Sequence, residues 1–281
     1  MTRLDPALPR RNVPRLGAVA VMAALALAPQ AVRAQGLLDV APGAAAPTQA
    51  QRWSLTLGAL GAVKPDYEGS DSYGFTPFPV IDLRYSDLFF ASVRDGIGVN
   101  VVREDWLKLG PVVRFRPGRD QDDNRALYGL GDVGATVEGG VLATLGEGPV
   151  RLRLEAAQGL NGGGHRGFQA RGDLTYGMRL GSSVLLAGGP SLTFADREFT
   201  QSYFGITADQ ARRSGYRAYD AKAGLKDAGF GVTATYLLGG GFALTGIAEV
   251  KRLLGDAADS PIVRDETQGF LGLGLSWRGM R

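Results

Sequence analysis

The chain has 281 residues, 44% hydrophobic and 21% charged, with 42 Gly, no Cys, one His and a formal net charge of +3. The apolar fraction excludes a disordered protein, and the missing Cys excludes disulfide scaffolds, thiolate metal centres and cysteine nucleophiles. Gly is about twice as frequent as its usual share of roughly 7%, without the Gly-X-Y period of collagen.

The first segment is an export signal by pattern. Arg3, Arg10, Arg11 and Arg15 precede an apolar run from Leu16 to Ala28, and Val32-Arg33-Ala34 ends it in small residues, which predicts cleavage between Ala34 and Gln35. The run is shorter than the ~20 residues of a spanning helix, and Pro29 closes it. Without residues 1–34 the chain holds 26 basic and 27 acidic side chains. The basic excess therefore belongs to the signal, and nucleic acid drops out as a partner. Residues 35–51 are Ala- and Pro-rich and read as a flexible periplasmic lead-in, leaving 52–281 as one domain.

That domain alternates. In Val150–Ala157, Val150, Leu152, Leu154 and Ala156 share one face while Arg151, Arg153 and Glu155 share the other, a period of two and hence a strand. Phe168–Arg179 repeats the pattern, and so do stretches in 53–63, 80–85, 112–116, 244–251 and 271–277. Runs such as 167–180 and 183–196 exceed the usual five or six residues and match a tilted membrane-spanning strand with overhang. Gly172, Gly177, Gly246, Gly272 and Gly274 inside strands suit a curved, closed sheet. Trp53, Tyr85, Phe115, Tyr236 and Trp277 near strand ends suit interfacial girdles.

The expectation is an all-β fold, a closed antiparallel transmembrane β-barrel of about 12 strands, with 10 possible. The strands are placed at 53–63, 75–85, 88–94, 97–102, 106–116, 131–145, 148–160, 166–180, 183–197, 226–239, 241–254 and 267–277. Every longer connection then follows an odd-numbered strand and falls on the outer side, as bacterial barrels require. The third and fourth strands are too short to span.

The chemical motifs are weak. Gly129, Gly131 and Gly134 fit G-x-G-x-x-G, but the residues before them are polar and those after are strand-like, so a loop feeding a strand is the better reading. Asp120–Asn124 opens like a calcium loop, yet Arg125 and Gly131 stand where such a loop needs Gly and Glu, leaving a solvated loop. His165 sits in a Gly-rich turn, a poor place to hold a general base. No catalytic residue, cofactor or metal site is expected. The lumen-lining candidates are Arg114, Arg151, Arg153, Glu155, Arg171, Asp173, Arg179, Glu249 and Lys251, whose mixed signs predict a largely plugged interior.

Several segments together resemble one family. They are Gly61–Ser70, Leu130–Val133, Tyr203–Thr207 followed by Ala211 and Ser214-Gly215, Ala223–Asp227, and above all Leu253–Val263. In order and spacing they look like the MltA-interacting protein (MipA/OmpV) family, over about 53–277. The resemblance implies a barrel in the outer membrane of a Gram-negative bacterium, in contact with outer-membrane lipid. It further implies a non-enzymatic scaffold joining a lytic transglycosylase to a penicillin-binding protein in peptidoglycan synthesis, with porin-like channels and adhesins as the alternatives among relatives. It supplies no catalytic residues and does not fix the oligomeric state.

Overall fold

In a computed structural model, residues 53–160 and 163–280 are described. The expected signal, its cleavage point at Ala34 and Gln35, and the 35–51 lead-in lie outside the described residues.

The strands run antiparallel in chain order: β1 (Trp53–Pro65), β2 (Tyr73–Tyr85), β3 (Phe89–Ser92), β4 (Gly96–Val99), β5 (Val102–Arg103), β6 (Leu107–Arg116), β7 (Thr136–Leu145), β8 (Val150–Gly159), β9 (Phe168–Leu180), β10 (Val184–Ala195), β11 (Gly224–Gly239), β12 (Phe242–Leu253) and β13 (Thr267–Met280). β1 pairs with β13, and β4 pairs with β6 through Ile97–Val113 and Gly98–Val112, so the sheet closes on itself. Closure satisfies the backbone without water, which a wall in lipid requires. Twelve strands form the ring, and β5 is a two-residue addition beside β6.

The polar face is the inner one. Arg171 of β9 reaches Glu249 of β12 at 3.6 Å, and Arg116 of β6 reaches Gln169 of β9 at 2.7 Å, each across two intervening strands. Only the concave side of a curved sheet brings such residues together. On the convex side β13 displays Leu271, Leu273 and Leu275 at 50% exposure or more, while Gly272, Gly274 and Ser276 point inward. Exposed apolar rows of this extent mark a lipid-facing wall.

Glycine has two uses in the wall. An added Cβ at inward Gly272 would meet Phe270 and Leu60 at 3.1–3.2 Å, so this glycine makes room for a small apolar cluster of Leu60, Ala62, Phe78, Ile247 and Phe270. Gly246, by contrast, has open space where a Cβ would stand, so crowding does not explain it.

The longer connections, 66–72, 117–135, 160–167, 196–223 and 254–266, all leave at one end, and two- to four-residue turns join most strands at the other. Three helices lie in the loops: α1 (Arg197–Phe204), α2 (Ala208–Ser214) and α3 (Gly255–Ala258). No helix among the described residues is long and apolar enough to cross a membrane; the strands do the crossing. Two expected boundaries move. β7 begins at Thr136 rather than 131, because Val133 is taken up in a backbone bridge to Arg119. β3 and β4 are shorter still than expected, because Val93–Asp95 turns inward and Asp95 is buried at 4% exposure.

Candidate functional site: the charged lumen and its cap

The inner charges form networks. Asp95 receives Arg94 at 2.6 Å, Arg153 at 2.9 Å and Arg84 at 3.5 Å. Arg153 also meets Glu155 at 3.2 Å, and Glu155 pairs with Arg114. Arg114 and Arg116 converge on Glu138, which is 1% exposed. Farther round, Arg171 pairs with Asp173 at 2.7 Å as well as with Glu249. Each carboxylate sits among donors, which offsets the cost of leaving water.

Seven of the nine candidates, namely Arg114, Arg153, Glu155, Arg171, Asp173, Glu249 and Lys251, enter ion pairs. Arg179 instead donates to the carbonyls of Gly181 and Ser182 in its own turn at the rim. Arg151 lies on the same face of β8 as Arg153, and its Nε has no acceptor among the described residues.

Other members of these networks escape the alternation argument. Glu138 and Arg116 share the inward parity of their strands and were legible in principle. Lys226 was not. A bulge pairs Thr193 with Asp227 and Phe194 with Leu225, which skips Lys226 and buries both Lys226 and Asp227, at 1% exposure each. Lys226 Nζ donates to Glu68 Oε1 at 2.8 Å and lies 2.5 Å from Asp227, and Lys251 Nζ reaches the same Glu68 oxygen at 2.6 Å. Glu68 belongs to the first loop, so this cluster pins that loop down into the barrel mouth.

His165 corrects an expectation. The Gly-rich turn holds it firmly: it is 1% exposed, with Nε2 3.0 Å from Glu138 and its ring edge-on to Phe199 and Tyr203. The glycines around it permit this burial: a Cβ at Gly164 would stand 2.0 Å from Thr136 Oγ1, and one at Gly167 would stand 2.1 Å from Phe199 N. His165 thus ties a loop to the lumen network, and its backbone N–H donates to Thr136 Oγ1 at 3.1 Å.

Above the networks the loops pack into a cap. Phe199, Tyr203 and Phe204 of α1 bury against Ala221, Leu253 and Ala257, and a second cluster joins Tyr67, Leu127, Leu130, Ile206 and Ile262. Asp196 starts α1 by accepting from Phe199 N at 2.8 Å, and Thr207 and Gln210 form a capping box on α2. Cross-loop hydrogen bonds lock the pieces: Tyr67 Oη to Ile262 O at 2.8 Å, Arg119 to Tyr203 O at 2.6 Å, Gln210 Nε2 to Leu130 O at 2.6 Å and Tyr219 Oη to Asp256 O at 2.9 Å. Burial raises the Tyr67 phenol to about 12 and lowers Arg119 from its ordinary value. The Asp120–Asn124 loop forms a 3-10 turn on the rim of this cap, and Gly129–Gly134 leads into β7 rather than into a helix.

The family described as MltA-interacting protein MipA matches residues 57–279. Among solved structures, the NanC porin is 11% identical, with 81% of this chain and 99% of that chain covered and a TM-score of 0.38. A bacterial polysaccharide outer membrane secretin is 9% identical, covering 80% and 98%, with a TM-score of 0.43. OprD from Pseudomonas aeruginosa is 10% identical, covering 83% and 67%, with a TM-score of 0.37. Among curated proteins there is no match to the sequence. With a closed sheet, a lipid-facing outer wall and a family match over most of its length, the chain is a Gram-negative outer-membrane barrel and belongs to the MltA-interacting protein family.

Proposed function

We propose that the protein is a non-enzymatic scaffold that holds peptidoglycan-cleaving and peptidoglycan-synthesising enzymes at the outer membrane. The observation that carries this reading is the match to a family described by its interaction with MltA, a lytic transglycosylase. A bifunctional penicillin-binding protein is the second partner in this reading. The geometry is compatible with it: the outer mouth is filled by packed loops and the lumen is crossed by ion pairs, so the barrel offers docking more readily than passage. The docking surface would be the turn end, since short turns lie on the periplasmic side of bacterial barrels, together with the 35–51 segment. Retention of a membrane-bound lytic transglycosylase and a penicillin-binding protein on the immobilised, detergent-solubilised barrel tests the proposal. Retention by the full chain and its weakening in a chain starting at residue 52 is the expected result; no retention of either enzyme sinks the reading.

A narrow channel is the second reading, favoured by the charged inner face that includes Arg114, Arg151, Arg171 and Lys251. Planar-bilayer recordings decide it, since the absence of conductance steps removes the channel and leaves the scaffold.

A further inference from the structure

The barrel wall is not equally tall all round. β3 and β4 have four residues each, whereas β2 and β6, which they join, have 13 and 10. β2 pairs with β3 only from Asp82 toward the turn end, and β4 meets β6 only at Gly98–Val112 and Ile97–Val113. Among the described residues, therefore, no strand pairs with Tyr73–Val80 on that flank, or with Arg114–Arg116 on the facing one. Two strand widths, about 10 Å, are missing from the loop half of the wall.

β2 is suited to a free edge. Val93 N donates to Ile81 O at 3.1 Å, so by the period of two the odd-numbered residues of β2 turn their backbone polar groups toward this notch. Pro77 and Pro79 belong to that set. Proline has no N–H, so neither position presents an orphan donor to the membrane, and neither can pair with an added strand. Inside a fully paired wall each would cost a ladder bond. The notch is thus encoded as an opening rather than left by imperfect closure.

A cavity of about 340 Å³ lies behind it. Its lining includes Gly74–Thr76 of β2 on one side of the notch, Gly118-Arg119 just past β6 on the other, and Glu249, Lys251 and Phe270 of β12 and β13. Its charged lining is Lys64, Arg119 and Lys251 against Asp66, Glu68, Asp123 and Glu249. Several of these are already engaged: Glu68 by Lys226 and Lys251, Glu249 by Arg171, and Asp66 by Asn124 at 2.9 Å. Among the described residues, however, Lys64 has only the carbonyl of Pro65, at 3.3 Å, as a hydrogen-bond acceptor, and the buried Nε of Arg119 has none. With those pairs set aside, Lys64 and Arg119 are left beside Asp66 and Asp123, two cationic donors and two carboxylates. A simple anion answers only the donors, and a simple cation only the carboxylates. A group carrying both a phosphate and a primary amine answers both. Phe75, one of the lining residues, is 71% exposed, with its ring over Gly61 of β1.

We propose that this cavity binds the phosphate-and-amine head group of a membrane amphiphile, which enters sideways through the notch while its apolar chain stays in the bilayer against Phe75. The phosphate meets Lys64 and Arg119, and the ammonium meets Asp66 and Asp123. This site is independent of the scaffold reading and lies at the opposite end of the barrel from the proposed enzyme-docking surface.

Native mass spectrometry of the intact barrel tests the head group, with phosphatidylethanolamine, phosphatidylglycerol of the same chains and free phosphoethanolamine as probes. Phosphatidylethanolamine should bind about tenfold more tightly than phosphatidylglycerol. Lys64→Gln should remove most of that preference, and Lys108→Gln, remote from the cavity, should leave it intact. Equal binding of the two lipids, or a preference unaffected by Lys64→Gln, overturns the head-group assignment; free phosphoethanolamine binding as tightly as the lipid overturns lateral entry. Because the chain has no Cys, single nitroxide-labelled cysteines test the notch separately. A label at inward Thr76 should collide with oxygen dissolved in the bilayer, while one at inward Thr144 of β7 should not. Equal collision rates at both positions overturn the opening.

Discussion

The two ends of the barrel are built on different physical principles. At the loop end, α1, α2 and α3 and the segments between them bury two apolar clusters and exchange hydrogen bonds from loop to loop. At the turn end, strands are joined by tight glycine turns with positive φ, among them Gly148 at 64°, Gly181 at 62° and Gly240 at 58°, and the small apolar cluster of Phe90, Val112 and Leu142 is carried by the strands themselves. The wall stands on strand pairing, where lipid makes every unpaired backbone group costly. The cap stands on burial from water, like a small globular domain. A perturbation at one end should therefore be absorbed locally, and the cap should be able to loosen while the wall stays closed.

The strongest way to break that separation is Lys226→Ala. Lys226 is fully buried between Glu68 and Asp227, and removing one partner of a buried charge cluster costs about 3–5 kcal/mol. Hydrogen exchange should rise across residues 66–72 and 196–223, with heat-modifiable gel mobility of the barrel retained. If the wall opens together with the cap, the two are one cooperative unit. Phe204→Ala comes next. Phe204 is 0% exposed in the cap, and a cavity of that size costs about 3 kcal/mol. It should make the 196–223 loop susceptible to protease without altering strand protection.

Tyr67 gives a pH-dependent version of the same test. Its folded-state pKa is raised to about 12 from 10.0. Stability from the buried neutral phenol is therefore complete below pH 10 and lost as pH rises through about 12. Ionisation also removes the donor to Ile262 O. Absorbance titration should show Tyr67 ionising late, with Tyr219, which burial also raises, contributing to the late rise, and cap exchange should increase over the Tyr67 window. Tyr67→Phe should remove the part of the late step centred at about pH 12.

The wall was largely legible in the sequence because a strand between lipid and a polar lumen must alternate. The rows Leu271, Leu273, Leu275 and Arg151, Arg153, Glu155 state their faces directly. The cap was not. Phe199, Tyr203 and Phe204 lie on one helix, but eight residues are too few for a clear stripe, and only the capping residues Asp196, Thr207 and Gln210 mark the boundaries. His165 and Glu68 reach the lumen because loops fold back over it, which no period encodes. Lys226 is hidden by a bulge, where the count of two fails.

The smallest expected effect sharpens the comparison from the other end. Lys108 pairs with Asp87 beside the turn between β2 and β3, and their side chains are 35% and 63% exposed. In that setting the pair competes with water and screening salt, and such contacts are worth about 0.5 kcal/mol or less. Lys108→Ala should leave unfolding in urea, cap exchange and gel mobility within error of the parent. The reasoning depends on exposure, not on the presence of an ion pair: Lys226 and Lys108 both meet carboxylates, yet only Lys226 has no water to replace its partner. A large effect at Lys108 would mean that the turns hold the structure as the loops hold the cap, and the division between a lipid-supported wall and a water-supported cap would fail.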